Sequence, residues 1–163
     1  MDPLAGAVHA KVREQIERTV HLIGFVSDAE WRPPIDGAWS VGELLGHLFD
    51  CLGGVCAVLY AAHPGELAHF AELQKLAVNF ACGPEDAPER IAAYRARIDE
   101  GFEVLCHDDL GRMLPTVFVP EGESVLTLLL GNLEHLINHK HQLFMYVKLA
   151  GANVGTPDLY RFR

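Results

Sequence analysis

The chain has 163 residues, 50% of them hydrophobic, and a formal net charge of −9 at pH 7. That length and apolar content fit a single domain over 1–163 with a sizeable core, and the acidic balance leaves no basic stripe for a phosphate backbone, so nucleic acid is excluded as the main partner. No apolar run reaches about 18 residues without polar interruption, and the N-terminus has neither a basic region nor a signal-like stretch; the expectation is a soluble, cytoplasmic protein with no membrane partner.

The first helix is expected from about Pro3 to Val26, where Val8, Val12, Ile16, Val20 and Ile23 recur at spacings of three and four. Trp31-Arg-Pro-Pro-Ile-Asp-Gly37 is rich in breakers and cannot be regular helix. The second helix opens with a capping box, Ser40 with Glu43, and a hydrophobic staple, Trp39 against Leu44, and it stops at His63-Pro64-Gly65. Glu66 to Phe80 is weakly helical in pattern, either a short element or an ordered loop. Asp86 and Glu89 suggest the cap of a third helix, on which Ile91, Tyr94, Ile98, Phe102 and Leu105 form one stripe that ends near Asp108 to Gly111. Met113 to Pro120 reads as an extended link with two prolines, and Thr116 to Val119 is its most strand-like part. Gly122 and Ser124 then launch the last helix. Four amphipathic helices without a longer strand run predict an all-α, antiparallel four-helix bundle, and the long connections at 27–39 and 63–84 leave its topology open.

On the last helix, His135 and His139 stand four residues apart, with Asn132, Gln142 and Tyr146 on the same stripe. Residues at i and i+4 lie one above the other on a helix, so the two imidazoles can point at one object, and neutral imidazole is the commonest protein ligand of a transition metal. His47, on the second helix, closes the set if the two helices pack face to face, giving three nitrogen ligands and an open position. Asp50 and Glu43 stand one turn from His47, where a carboxylate can fix the tautomer of a ligating ring; otherwise they are a solvated charge and a cap. Asn132, Gln142 and Tyr146 either orient the ring nitrogens and touch a substrate or simply pack. His141 lies about 200° around the helix from His139 and is excluded as a ligand. His63 and His69 read as surface residues, and His9, His21 and His107 as surface or packing residues. Cys51, Cys56, Cys82 and Cys106 form no CxxC pair and read as reduced thiols; Cys51 shares the face of His47 and reads as a small buried hydrophobe.

Trp39-Ser-Val-Gly-Glu-Leu-Leu-Gly-His47-Leu, His135-Leu-Ile-Asn-His139-Lys-His-Gln142-Leu and the closing Leu149-Ala-Gly151 with Pro157-Asp-Leu-Tyr160 together resemble the DinB/YfiT-like metal-binding four-helix bundles over nearly the whole chain. The resemblance implies a divalent metal, commonly nickel or zinc, on His47, His135 and His139. Family members often carry Gly before the Gln, where this chain has His141. Relatives include transferases that join a low-molecular-weight thiol such as bacillithiol or mycothiol to an electrophile, and thiol-dependent isomerases. The implied activity is therefore a metal-dependent thiol S-transferase acting on a small molecule in detoxification or stress response, and relatives commonly form homodimers. The same three-histidine metal could instead activate water in a hydrolase, or belong to a metal-binding stress-response bundle without turnover. No Gly-rich phosphate loop, nucleophile elbow or HExxH motif offers competing chemistry.

Overall fold

The computed structural model describes residues 2–75, 81–116 and 119–160. Helix α1 spans Pro3–Ile23 and starts under Asp2, whose carboxylate accepts from the Leu4 and Ala5 amides at 2.8 and 3.1 Å, with Pro3 placed where its missing N–H costs nothing. Helix α2 spans Val41–Ala62 behind the expected capping box: the Glu43 amide donates to Ser40 Oγ, and the Ser40 amide donates to the Glu43 carboxylate. A short 3-10 helix follows at Ala68–Lys75, and just before and within it Leu67 and Phe70 reach the core. Helix α3 spans Ala87–Val104, the one-turn helix α4 spans His107–Leu110, and strands β1 (Met113–Leu114) and β2 (Glu123–Ser124) pair antiparallel, Met113 opposite Ser124. Helix α5 spans Val125–Leu149, capped by Ser124, and α6 covers Thr156–Leu159. The remainder of the weakly helical segment, 76–80, and residues 117–118 of the extended link lie outside the described residues.

The apolar stripes read from the sequence are the core. Val8, Val12, Ile16 and Ile23 of α1 and Ile91, Tyr94, Ile98 and Phe102 of α3, with Leu105 just beyond it, are all buried. Removing each such side chain from water contributes about 1.5–3 kcal/mol. Asp86 departs from expectation: it makes no side-chain cap, because its backbone is already helical and the Ala87 amide closes a turn onto the Gly83 carbonyl at 3.1 Å. Helix α2 is long and apolar enough, by length and composition, to cross a membrane. Its apolar residues pack inside the bundle, between α3 and α5.

The four long helices form an all-α bundle in which α1 and α2 stand on one diagonal and α3 and α5 on the other. His9 meets Asp99 and Glu17 meets Arg95, so α1 and α3 run antiparallel. His47 meets His139 and Gly54 faces Asn132, so α2 and α5 do as well. Phe49 stacks on Tyr94 while Leu59 lies against Gly101, so α2 and α3 run parallel; α1 and α5 must then share a direction too. The long connections before and after α2 make these parallel neighbours possible.

Two glycines of α2 let neighbouring backbone and α5 come close to it. A Cβ on Gly42 would stand 3.2 Å from the Ala29 carbonyl oxygen, which accepts from the Gly42 amide at 2.7 Å. With the Val41 amide donating to Trp31 (2.9 Å) and Arg32 donating to the Ala38 carbonyl (3.0 Å), this folds the 29–39 connection over the start of α2. At Gly54 the absent side chain leaves room for the Asn132 amide of α5. Lys140, 2% exposed, ties the C-terminal segment down by donating to Gln15 Oε1 (2.7 Å) and the Leu159 carbonyl (3.1 Å).

Candidate metal centre

The face-to-face packing of α2 on α5 brings His47, His135 and His139 together. One nitrogen of each lies within 4.8 Å of the others, and the ring centroids are 4.5–5.0 Å apart. His47 Nε2 stands 3.1 Å from His135 Nε2. Tautomers follow from the other ring nitrogens. His139 Nδ1 lies 2.9 Å from Gln142 Oε1, and His47 Nδ1 lies 3.6 Å from the Asp50 carboxylate. The Gln142 oxygen accepts the hydrogen on His139 Nδ1, which leaves that ring's Nε2 lone pair turned inward, and the Asp50 charge, though beyond hydrogen-bond range, favours the same tautomer of His47. Lone pairs that converge on one point repel unless a cation or a shared proton lies between them. A tetrahedral ion at about 2.0–2.1 Å from each nitrogen sets neighbouring nitrogens about 3.4 Å apart, close to the His47–His135 separation. The donor set thus fits a divalent ion of the zinc or nickel type with one position left open.

Electrostatics favour the neutral rings that ligation needs. Partial desolvation holds the pKa of His135, an exposed residue, below its ordinary value, with His47 adding to the effect. Burial does the same to His139, against an opposing hydrogen bond from Gln142. Trp39 caps the cluster, its ring centroid 4.7 Å from that of His47 and 5.8 Å from that of His139. Beside it opens a cleft of about 450 Å³ lined by the 35–39 stretch together with His139, Gln142 and Tyr146.

The polar neighbours expected from the sequence divide. Gln142 touches His139 and donates through Nε2 to the Tyr146 hydroxyl at 3.1 Å. Asp50 stands beside His47. Asn132 instead donates to the Leu128 carbonyl of its own helix (2.8 Å) and packs against Gly54, so its recorded contacts serve the α2–α5 crossing. The Glu43 carboxylate is taken by the cap and by Arg32 at 2.8 Å. Cys51 is 1% exposed, its thiol donates to the His47 carbonyl (3.4 Å), and burial pushes its pKa up to about 12, as befits an inert core thiol. His141 is exposed and lies against Phe144.

Two features escaped the sequence reading. His63 is not a plain surface residue: it is mostly covered and bonded to Asp109 at 2.8 Å. The 35–39 stretch, read only as a connection with a staple, forms a wall of the cleft; the Trp-Ser helix start was the one signal available for it.

A family model described as the DinB superfamily matches residues 11–143. No curated protein matches the chain by sequence. Among solved structures, a DinB-like protein of Bacillus subtilis, YjoA, is 19% identical with a TM-score of 0.69, covering 91% of this chain and 94% of its own. A mycothiol-dependent maleylpyruvate isomerase is 16% identical with a TM-score of 0.58, covering 98% of this chain and 68% of its own. At these identities the two structures speak for the bundle fold alone, and it is the family match over most of the chain that decides: the chain belongs to the DinB superfamily.

Proposed function

We propose that His47, His135 and His139 hold a divalent metal, nickel or zinc, and that the protein is a thiol-dependent transferase joining a low-molecular-weight thiol to a small electrophile. The observation that carries this reading is the opening of the three-imidazole cluster onto a substrate-sized cleft, with His139 in both. When bound, the metal supplies the acidity that keeps a thiol ionised at neutral pH. The chain's own residues do the rest. Gln142 holds the hydrogen on Nδ1 of His139, and Asp50 stands by charge beside Nδ1 of His47, so that the ligating nitrogens face inward. Trp39 covers one side of the cluster, and the 35–39 wall with Tyr146 shapes the space for the electrophile. The protein's cysteines supply no competing nucleophile at the cluster, since Cys51, the one beside His47 on its helix, is buried with its thiol bonded to backbone. The isomerase among the fold relatives uses a thiol by name, which supports the same chemistry here.

Hydrolysis is the second reading, and one observation favours it: Asp36 lines the cleft and offers a carboxylate base that no sequence motif provided. The test is thiol consumption by metal-loaded protein with bacillithiol, mycothiol or glutathione and cyclohex-2-enone, run beside p-nitrophenyl acetate cleavage without thiol. Metal-dependent thiol loss that disappears in His139→Ala is the expected result. Ester cleavage without thiol consumption would favour the hydrolase, and neither activity with metal bound would leave a binding protein.

A further inference from the structure

The hydrogen bonds leading away from His139 have one polarity. With Nε2 of His139 turned to the metal, Nδ1 carries the hydrogen and donates to Gln142 Oε1 at 2.9 Å. That orients the Gln142 amide so that its Nε2 donates to the Tyr146 hydroxyl oxygen at 3.1 Å. A phenol oxygen that accepts from Gln142 keeps its own hydrogen for another acceptor. Among the described residues no protein acceptor lies within hydrogen-bond range of it. Tyr146 is 7% exposed, its ring is held by the edge-on Trp31 ring at 5.8 Å, and it lines the cleft beside His139. The lining contains no lysine or arginine, and its charged side chain is the acid Asp36. Apart from a metal on the histidines, an anionic group therefore meets no cationic side chain in the lining.

We propose that Tyr146 donates a hydrogen bond to the carbonyl oxygen of an uncharged, α,β-unsaturated electrophile bound in this cleft. The proposal rests on the reading of the histidine cluster as a metal site acting on a thiol. In the step it serves, the thiolate sulfur bonds to the β carbon, and the C=C pair shifts so that negative charge gathers on the carbonyl oxygen. The α carbon then takes a proton from water, which replaces the proton the thiol released, and the product is the neutral thioether. Tyr146 faces the atom on which charge develops, where one fixed donor acts most strongly. Gln142 is the positioning residue, since it decides which way the phenol hydrogen points.

Infrared difference spectra of metal-loaded protein with cyclohex-2-enone and no thiol read this bond directly. The carbonyl band of the bound enone is expected at lower wavenumber in wild type. The shift is expected to vanish in Tyr146→Phe, which keeps the ring against Trp31. It is also expected to vanish in Gln142→Glu, whose carboxylate still accepts from His139 but captures the phenol hydrogen. With thiol added, kcat/KM for the enone is expected to fall about 100-fold in both variants, with KM for the thiol unchanged. Metal content is measured on the same samples. A shift that persists in Tyr146→Phe, or no bound-enone band in metal-loaded wild type, overturns the proposal and leaves the metal reading standing. Wild type that carries no metal overturns the metal reading and this proposal with it.

Discussion

Where α2 meets α5, three imidazoles turn toward one another; elsewhere in the bundle five other histidines each turn toward a carboxylate. His9 pairs with Asp99 at 2.6 Å, His21 with Asp158 at 2.8 Å, His63 with Asp109 at 2.8 Å, His69 with Glu100 at 2.9 Å and His107 with Asp2 at 3.0 Å. The same side chain thus meets two opposite electrostatic environments. Four of these carboxylates are held below their ordinary values: Asp2 and Asp158 first by backbone amides, with their histidines adding to the effect, Glu100 first by its hydrogen bond to His69, and Asp109 by hydrogen bonds from Cys106 and His63 that outweigh burial. His135 and His139 are held toward the neutral form, first by desolvation and then by the neighbouring imidazoles. The carboxylate pairs tie segments together. The cluster leaves lone pairs that only a cation or a proton can satisfy.

Breaking the cluster at one ring and a carboxylate pair at another separates the two roles most sharply. His135→Ala is expected to reduce zinc or nickel binding to background in a chelator competition titration, while His63→Ala leaves it unchanged and lowers stability instead. Removing the groups behind the ligands is a milder break: Asp50→Ala or Gln142→Ala is expected to weaken metal affinity about 10–100-fold in the same titration.

The carboxylate side of the comparison is tested at Asp109. Burial alone would raise its pKa, but hydrogen bonds from Cys106 and His63 outweigh this and hold it at about 2. Its folded value lies below the ordinary 3.8, so its contribution is present above that pH and is lost as pH falls through about 2. Asp109→Asn is expected to cost about 1–3 kcal/mol in urea denaturation at pH 7, with the difference from wild type shrinking as the acid limit is approached.

The smallest effect sharpens the other side. His135 and His139 have folded values below the ordinary 6.5, so across that window the unfolded chain takes up protons that the folded chain refuses. Stability of the metal-free protein is expected to rise with pH through the window and to fall on acidification, as read by thermal melts from pH 5 to 8. His135→Gln is expected to flatten that slope.

What the sequence made legible was what is local or periodic. The stripes of α1 and α3 are spaced by the helix repeat, the Ser40–Glu43 cap closes within four residues, and His135 and His139 share a face by spacing alone. Their meeting with His47 depended on which faces pack, and the family resemblance pointed there. The pairing of His63 with Asp109, 46 residues away, leaves no local trace. Nor does the mixed direction of the helices, which depends on long connections with no periodicity of their own. Trp39 illustrates the limit: its place before a capped helix was readable, but its seat over His47 and His139 depends on the backbone bonds that fold 29–39 back onto α2. Asp86 shows the opposite failure, a good cap residue whose role is lost to a backbone turn.

The most direct test of the three-histidine centre is the metal-to-protein ratio by elemental mass spectrometry, on untagged wild type and His139→Ala prepared side by side. About one nickel or zinc per wild-type chain and background in the variant is the expected result. Wild type that stays metal-free after incubation with zinc and nickel would contradict the account, and the converging imidazoles would then be packing residues.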